Sequence, residues 1–275
     1  MNLLADGVSF AYDPSQPVLT DVRAVIERGG LIGILGPNGS GKTTLLRLLG
    51  GLLTPHRGHV TLDGIDLRTL GRAAAARRIA VVPQETQLAF EYTVLEMAVM
   101  GRSPHLGSFE IEGPDDLAIA REALRATGTL HLESRYFNTL SGGEKQRVVI
   151  AGALSQFSSR DPSHTNSTEV LLLDEPTASL DLAYQLEIRS ILLHLNQQRH
   201  LTVVVSTHDL NLAAGLCRDL ILLDRGRVLA AGPAERMLEP ALIRQLYGVD
   251  VDISVHAKTG HLTVVPLARI GQLSQ

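Results

Sequence analysis

The sequence predicts an α/β fold with a largely buried central sheet, an antiparallel amino-terminal β subdomain and a helical subdomain inserted into the core. Three patterns carry this prediction. Short apolar runs alternate with helix-period segments, the opening residues alternate apolar with polar side chains, and strand patterns are missing between Glu85 and Ser155. Continuous apolar runs are typical of strands buried on both faces, and alternation is typical of strands with one wet face.

The amino-terminal part predicts antiparallel strands, followed by a buried strand and a helix. Within Leu3–Glu27, the apolar residues Val22, Ala24 and Ile26 alternate with more exposed positions, and two proline-containing breaks indicate a turn. The next predicted elements are strand Leu31–Leu35, a helix through Thr44–Leu49 that ends at Gly50-Gly51, strand Val60–Leu62 before Asp63-Gly64, and strand Ile79–Val82, which Pro83 stops.

The helical subdomain and the remaining core are predicted from helix starts and apolar runs. Thr93 and Glu96 form a capping-box pattern that opens a helix, which Gly101 is expected to close. A second helix is expected from Pro114 to Gly128 and a third from Ser141. The elements expected after these are an exposed polar loop at Ser158–Glu169, strand Val170–Leu173, helix Leu182–Gln197, strand Thr202–Ser206, a helix from Leu210, strands Leu220–Asp224 and Arg227–Ala230, two short helices after Pro233, and a strand pair around Thr259-Gly260.

Composition is that of a soluble globular protein. Apolar residues make up 44% and charged residues 20% of the 275 residues, which excludes a disordered, collagen-like or disulfide-stapled chain. The net charge is 25 − 29 = −4, and without a basic stripe the chain is not expected to bind nucleic acid. Cys217 is the single cysteine, which fits a reducing compartment. Because no apolar run approaches the length of a membrane span and Met1–Ala11 has no signal-peptide pattern, we expect a cytosolic protein that meets a membrane only through a partner.

Residues 36–43 form a phosphate-binding loop. Gly-Pro-Asn-Gly-Ser-Gly-Lys-Thr fits G-x-x-x-x-G-K-[ST] without a gap, between a buried strand and a helix start. Glycines let backbone N–H groups form an anion nest, and the helix amino terminus adds its positive dipole end. We expect Lys42 to bind the β- and γ-phosphates and Thr43 to offer its hydroxyl to Mg²⁺. The predicted nucleotide-binding residues here are Gly36, Pro37, Asn38, Gly39, Ser40, Gly41, Lys42, Thr43 and Thr44.

The strand Val170–Leu173 is followed directly by two carboxylates, Asp174 and Glu175. At the carboxyl end of a buried strand, such side chains can face a ligand crevice. We expect Asp174 to hold Mg²⁺ through water and Glu175 to polarise the attacking water as general base. The alternative is that Asp174 only caps the turn before Pro176.

A second glycine-containing helix start, Ser141-Gly142-Gly143-Glu144, permits two interpretations. Ser141 and Glu144 form a capping box, which has a purely structural use. A helix amino terminus with two glycines and a hydroxyl is also an anion site. Because one triphosphate rarely needs two separate cradles, two molecules placed head to tail would use both, which predicts a dimer with ATP at its interface.

Together these segments resemble the ATPase subunit of an ABC transporter, over about residues 2–245. The resemblance implies a P-loop NTPase core with a mixed central sheet, an ABC ATPase domain at 2–245 with its helical insertion at about 86–156, and a carboxyl-terminal extension at 246–275. The matching segments are the phosphate loop, Leu140–Gln146 (hereafter the signature segment), Leu171–Glu175, Ser179-Leu180-Asp181 and His208.

The resemblance also implies roles for single residues. Gln84 is expected to sense Mg²⁺ and couple to the membrane partner, and Asp181 to link the two active sites across the dimer. His208 is expected to contact the γ-phosphate. Tyr12 falls where the family places an aromatic side chain under the adenine, with strand packing as the alternative.

The site residues predicted in this way describe a hydrolytically competent enzyme. Glu144 departs from the more common glutamine at the fifth signature position, but the signature serine and the expected base and switch residues are present. The predicted catalytic residues are Glu175, His208, Gln84 and Lys42; Mg²⁺ is assigned to Thr43, Gln84 and Asp174; and the partner's nucleotide is assigned to Ser141, Gly142, Gly143, Glu144 and Asp181.

The function implied is ATP hydrolysis that drives import across a membrane. Two copies are expected to close on two MgATP and to reopen after hydrolysis. The expected partners are a second copy of the chain, an integral membrane permease in two copies that contacts residues 84–113, and a periplasmic binding protein indirectly, without nucleic acid or direct cargo contact. The expected location is the cytoplasmic face of the bacterial inner membrane, as a peripheral subunit.

Cargo is implied by a finer resemblance. Gly101–His105, His208–Asn211 and the tail are similar to importers of iron chelates, haem and cobalamin. The polar loop at 156–169 and the tail from Tyr247 are most similar to haem importers, with ferric siderophore and cobalamin as alternatives.

Three rival classes of protein fit these residues less well than an import ATPase does. ABC ATPases that act on DNA or ribosomes usually carry a long coiled coil or two fused units. A non-catalytic nucleotide-binding module would lack Glu175, His208 or Ser141, and a phosphate-loop kinase has no use for the signature segment. Co-purification with an integral membrane protein separates these classes.

Overall fold

The computed structural model of the protein describes residues 2–86, 88–107, 109–157 and 168–269. These residues form a four-stranded sheet, a six-stranded sheet, a two-stranded hairpin and a set of helices, and the predicted α/β fold is confirmed. The elements are β1 (Asn2–Asp13), β2 (Gln16–Glu27), β3 (Leu31–Leu35), α1 (Lys42–Leu49), β4 (Arg57–Leu62), β5 (Ile65–Asp66), α2 (Leu67–Leu70), α3 (Arg72–Ala76), β6 (Ile79–Val82), α4 (Val94–Val99), α5 (Pro114–Ala126), α6 (Gly142–Phe157), β7 (Val170–Asp174), α7 (Leu182–Arg199), β8 (Thr202–Thr207), α8 (Leu210–Leu216), β9 (Asp219–Asp224), β10 (Arg227–Pro233), α9 (Ala234–Met237), α10 (Pro240–Tyr247), β11 (Val249–Val255) and β12 (Leu262–Arg269).

The amino-terminal sheet is antiparallel, with the strand order β2-β1-β4-β5. As the alternation predicts, Val22, Ala24 and Ile26 are buried, whereas Val25 between them is exposed. The buried face belongs to the same apolar cluster as the side chains Leu45 and Leu49 of α1. This sheet therefore supports the helix that follows the phosphate loop.

The six-stranded sheet has the order β10-β9-β3-β8-β7-β6, and β10 is its antiparallel member. The strands β3, β7 and β8 are buried along their whole length, which explains their continuous apolar sequences. Leu35 pairs with Thr207 and Asp174 pairs with Ser206 at one edge. The carboxyl ends of three neighbouring strands therefore meet at one place, where a ligand crevice is expected.

The helical subdomain confirms the predicted starts and corrects one predicted end. Thr93 and Glu96 form the expected capping box at α4. Gly101 does not close this helix, because α4 ends at Val99 and a 3₁₀ turn continues through Met100–His105. A Cβ atom on Gly101 would lie 2.0 Å from the carbonyl oxygen of Gly152 in α6. The glycine thus permits close contact between two helices instead of ending one.

The expected exposed loop at 158–169 is corrected at its end, and residues 158–167 lie outside the described part of the chain. Thr168 is buried, not exposed. Its hydroxyl donates to Asp63 Oδ1 at 3.0 Å, and Arg78 pairs with the other carboxylate oxygen of Asp63. The segment that leads into β7 is therefore hydrogen-bonded to the turn that follows β4.

The tail forms two short helices and a hairpin, as predicted. β11 and β12 pair antiparallel on either side of Thr259-Gly260. Val251 and Val264 are buried in the main core cluster together with Ala213 of α8. Among the described helices, none combines the length and the apolar character that crossing a membrane requires.

Candidate nucleotide-binding site

A cleft of about 650 Å³ opens at the carboxyl ends of the central strands. The phosphate loop, the segment after β6, the end of β7 and the end of β8 each contribute to its walls. Its lining residues are Val18, Asn38, Gly39, Gly41, Lys42, Thr43, Thr44, Gln84, Glu175, Ala178, Ser179 and His208. Residues predicted from four separate parts of the sequence thus meet in one cleft.

The phosphate loop joins β3 to α1 and has the backbone that its glycines predict. Gly39 and Gly41 adopt φ values of +79° and +103°, which a residue with a Cβ atom rarely takes. Lys42 is buried, and its Nζ donates to the carbonyl oxygens of Gly36 at 2.9 Å and Pro37 at 3.3 Å. The ammonium group is therefore held at the loop, where it adds a full positive charge to the nest of backbone amides.

Asp174 and Glu175 are both fixed by Ser206 on the neighbouring strand. The Ser206 hydroxyl donates to Asp174 Oδ1 at 2.5 Å. The backbone N–H of Glu175 donates to the carbonyl oxygen and to the hydroxyl of Ser206, each at 3.1 Å. Glu175 has a φ of +47°, a left-handed conformation that a non-glycine residue keeps only where its surroundings hold it. This turn aims the Glu175 side chain into the cleft.

The Glu175 carboxylate lies between a cation and an imidazole. Lys42 Nζ is 3.6 Å from Oε1, and His208 Nδ1 is 3.2 Å from Oε2. The Glu175 side chain is only 13% exposed, whereas His208 is 56% exposed. A carboxylate held in this way can accept a proton from a water molecule in the cleft.

The oxygen groups near the loop fit a magnesium ion bound together with phosphate. Thr43 contributes a hydroxyl and Gln84 an amide oxygen to the cleft wall, and the Asp174 carboxylate ends the adjacent strand. Mg²⁺ prefers oxygen ligands and takes few of them from protein when it is bound with substrate phosphates. The described residues contain no group of three or more His, Cys, Asp or Glu side chains suited to a resident metal. The hydroxyl, amide and carboxylate oxygens suit Mg²⁺ that is bound together with phosphate.

Tyr12 lies at the end of β1 beside the start of α1. Its hydroxyl is 3.5 Å from Thr44 Oγ1 and accepts a hydrogen bond of 3.4 Å from Arg47. Its ring contacts Phe10 edge to face at 5.0 Å and is 58% exposed overall. The exposed ring is available for stacking with a flat ligand.

The signature segment begins α6 and lies outside the cleft. Ser141 N–H donates to Glu144 Oε2 at 2.8 Å, and Glu144 N–H donates to Ser141 Oγ at 3.3 Å, so the capping box is present. The Ser141 amide also lowers the pKa of Glu144. Gly143 packs so closely on Tyr184 of α7 that a Cβ atom would lie 2.2 Å from its ring. Within the described residues, neither Ser141–Glu144 nor the exposed Asp181 lines the cleft of its own chain.

Sequence reasoning assigned no role at the site to two polar residues, Ser206 and Ser179. Ser206 ends the apolar run of β8 in the same way as Asp174 ends β7, so the same signal could have identified it. Ser179 lines the cleft with a φ of +67°, and no sequence pattern for a nonglycine residue predicts that conformation.

The fold and this cleft define a nucleotide-binding ATPase of the phosphate-loop class. The chain belongs to the ABC transporter family, whose sequence profile matches residues 19–178, and it is an ABC ATPase. Members of this class bind ATP with Mg²⁺, and the anion nest and oxygen ligands described above suit both.

Curated relatives cover most of the chain. It is 43% identical over 251 residues to the cobalamin import ATP-binding protein BtuD of Halobacterium salinarum, a match that covers 91% of this chain and 60% of that protein. It is 40% identical over 255 residues to the hemin import ATP-binding protein HmuV of Pseudomonas entomophila, covering 91% and 94% of the two chains. The chain therefore spans 60% of the length of the halobacterial relative and nearly all of the pseudomonad one.

Solved structures show the same fold. A structure described as an inward-facing metal-chelate type ABC transporter superposes with a TM-score of 0.81 and 28% identity, covering 97% of both chains. The dimeric bacterial ABC transporter cassette MJ0796 superposes with a TM-score of 0.71 and 29% identity, covering 84% of this chain and 98% of that one.

Proposed function

We propose that this chain is the ATP-hydrolysing subunit of a membrane import complex and that it energises the uptake of haem. The cleft of a single chain is incomplete as an ATPase site. Cradle, base and switch residues meet around Glu175, whereas the signature segment of the same chain lies elsewhere on α6. A second subunit placed head to tail would supply the missing anion site.

Dimer closure follows from the charge at such an interface. The γ-phosphate would lie between the phosphate loop of one subunit and Ser141–Glu144 of its partner, so ATP joins the two surfaces. Loss of the γ-phosphate removes that bridge, and the dimer opens. Asp181 is the N-cap residue of α7, whose Tyr184 packs on the signature glycine Gly143. This contact supports a role for Asp181 in linking the two sites.

Hydrolysis would use positioning and charge more than covalent chemistry. Glu175 accepts the proton of the attacking water, Lys42 binds the phosphate oxygens, and His208 contacts the γ-phosphate. Thr43, Gln84 and Asp174 would hold Mg²⁺, which neutralises charge that develops on the phosphates. Tyr12 would stack on the adenine.

Partners and location follow from the same proposal. The chain would dock as a homodimer on two copies of an integral membrane permease, through the region 84–113, at the cytoplasmic face of a bacterial inner membrane. A periplasmic binding protein would deliver the cargo, which never touches this chain. Haem is favoured by the HmuV relatives, which match almost end to end, such as that of Pseudomonas entomophila. Cobalamin is the second candidate, since the halobacterial relative carries that name.

The dimer is tested with a Glu175→Gln variant that retains nucleotide. Light scattering should show a mass twice that of the monomer with ATP and Mg²⁺, but not with ADP. Adding Ser141→Arg should abolish the dimer and leave ATP binding to each monomer intact. A monomeric Glu175→Gln protein at saturating ATP, alone and together with its permease, contradicts the proposal.

Cargo is tested with the whole complex. The chain is expressed with the permease encoded beside its gene and reconstituted in liposomes. Haem-loaded binding protein should stimulate ATP hydrolysis, and cobalamin-loaded or siderophore-loaded binding protein should not. Stimulation by cobalamin alone would replace haem with the second candidate and leave the ATPase role unchanged.

A further inference from the structure

The carboxyl-terminal hairpin packs on the helix that follows the switch histidine. Val264 of β12 and Val251 of β11 are buried in one cluster with Ala213 and Leu216 of α8. The hairpin is therefore part of the main core and lies against the element that starts two residues after His208.

One side chain joins α8 to the hairpin with two hydrogen bonds. The Asn211 amide Nδ2 donates to the carbonyl oxygen of Val264 at 3.1 Å, and Val264 N–H donates to Asn211 Oδ1 at 2.8 Å. The carboxamide thus pairs with β12 as a neighbouring strand would, and uses both its donor and its acceptor. Asn211 is exposed, so its contact with the hairpin depends on these two hydrogen bonds and not on burial.

The same helix turn holds the backbone on the carboxyl side of His208. Asp209 caps α8 by accepting from the N–H groups of Asn211 at 2.8 Å and Leu212 at 3.0 Å. Asp209 N–H donates to Thr207 Oγ1 at 3.0 Å, so the cap is tied to the end of β8. Because the His208 side chain is 56% exposed, its place beside Glu175 depends on this backbone more than on side-chain packing.

The tail also reaches the phosphate loop at the point where the hairpin begins. Tyr247 is the last residue of α10, and its hydroxyl is buried close to the Gly36 backbone and the Glu175 carboxylate. Burial raises the pKa of Tyr247, so the phenol stays neutral there. The extension therefore reaches the phosphate loop through Tyr247 and is bonded to α8 through Asn211.

We propose that Asn211 is a positioning residue for ATP hydrolysis, which acts through the hairpin to hold His208 against Glu175. This proposal rests on the proposed function of His208 and Glu175. The carboxyl-terminal extension is thereby a working part of the catalytic unit, and the Asn211–Val264 pair is its point of action.

The first test is an Asn211→Ala variant in the full chain. We expect kcat for ATP hydrolysis to fall about ten-fold with KM for ATP within about two-fold, because a small misplacement of a catalytic group costs rate before it costs binding. Asn196→Ala is the matched control. It also removes two side-chain bonds, to the carbonyls of Gly29 and Leu201, from a more buried asparagine. It should lower the melting temperature and leave kcat unchanged. A normal kcat for Asn211→Ala, or an equal loss in the control, overturns the proposal.

A double variant separates positioning from general damage. If Asn211 acts through His208, then Asn211→Ala should add no further loss to a His208→Ala protein, whose residual turnover is followed with radiolabelled ATP. A further ten-fold loss in the double variant means that Asn211 acts elsewhere. If His208→Ala alone keeps full activity, the proposed function of His208 fails first, and the two failures are distinguished.

An Asn211→Asp variant tests the same pairing if the alanine protein does not fold. The aspartate retains the acceptor for Val264 N–H, and it can donate to the Val264 carbonyl oxygen only when protonated. At about pH 7.5 the carboxylate is ionised and offers no donor to the Val264 carbonyl oxygen, so kcat should fall as it does in the alanine variant. A folded Asn211→Asp protein with the parental kcat contradicts the proposal.

Discussion

The imidazole Nδ1 of His208 lies 3.2 Å from Oε2 of Glu175, and the opposite carboxylate oxygen of Glu175 lies 3.6 Å from Lys42 Nζ. The three residues follow three different strands of the parallel part of the sheet. Their meeting is thus a product of strand order, since β7 and β3 both neighbour β8. A carboxylate in this position can take a proton from a water molecule in the cleft.

Replacing this carboxylate should separate binding from hydrolysis. In Glu175→Gln we expect kcat to fall at least about 100-fold, the usual contribution of a general base. The affinity for MgATP should change little, because the phosphate loop is untouched. Phosphate release and a fluorescent-nucleotide titration measure the two quantities.

The matched control for that experiment is Glu169→Gln at the other end of the same strand. Glu169 precedes β7, and burial raises its pKa, so it is also a carboxyl group with restricted solvation. Its replacement should leave kcat at the parental value. Normal turnover in Glu175→Gln, or equal loss in both variants, would refute the role of Glu175.

Replacing Ser206 should change the Mg²⁺ requirement of ATP hydrolysis more than the stability of the fold. Ser206→Ala removes the 2.5 Å bond to Asp174 and one acceptor of the Glu175 N–H. Groups that orient ligands from behind commonly change metal affinity or activity about 10- to 100-fold. We expect the Mg²⁺ concentration for half-maximal activity to rise about ten-fold, measured by titrating Mg²⁺ at saturating ATP.

Ser155→Ala is the control for the loss of a buried serine hydroxyl. Ser155 is fully buried, and its hydroxyl donates to the Ala151 carbonyl at 3.1 Å, far along α6 from its signature end. Both variants should lose about 1 kcal/mol of unfolding free energy. Only Ser206→Ala should shift the Mg²⁺ titration. A shift in both variants would mean that the titration reports lost stability and not a changed magnesium site.

Local patterns explain what the sequence could predict. The strands β3 and β7 are continuous apolar runs, and the loop after β3 carries glycines at positions that require positive φ, so both are visible within a few residues. The capping boxes at Thr93 and Ser141 are equally local and are present in the structure. The cleft then follows from placing strand ends together.

Contacts between distant segments explain what could not be predicted. Gly101 reads as a helix stop, yet its function is set by Gly152 on another helix. Thr168 reads as a loop residue, yet it is buried, and its hydroxyl donates to Asp63 in the turn between β4 and β5. The pairing of Asn211 with Val264 likewise depends on where a hairpin docks. A single sequence carries no signal for such pairs.

The corrected role of Gly101 gives a stability prediction. Gly101→Ala would place a Cβ atom 2.0 Å from the Gly152 carbonyl oxygen, which is backbone and cannot turn aside. We expect a loss of about 1–3 kcal/mol, the range for overpacking a tight contact. Gly107→Ala is the control, because its nearest neighbour is a flexible glutamate oxygen at 3.6 Å. Urea unfolding should show little change there, and equal losses would contradict the contact.

The single thiol of Cys217 should report unfolding. Cys217 is buried beside Gly33, and burial raises the pKa of its thiol from 9.0 to about 12. The thiolate is the reactive form, so native labelling by a maleimide at pH 8 should be about 100-fold or more slower than labelling in denaturant. Mass spectrometry after timed quenching measures both rates. Fast labelling of the native protein would show that this part of the core opens readily.

The same thiol sets a pH dependence whose sign follows from proton binding. Between pH 9.0 and about 12 the unfolded thiol ionises while the folded thiol keeps its proton. The unfolded state then binds fewer protons, so unfolding becomes easier as the pH rises through this window. A Cys217→Ala protein lacks that term, because alanine does not titrate. Above about pH 9 the unfolding free energy of the parent should therefore fall relative to that of the variant. A difference that does not change with pH would mean that the folded thiol ionises as readily as the unfolded one, in contact with water.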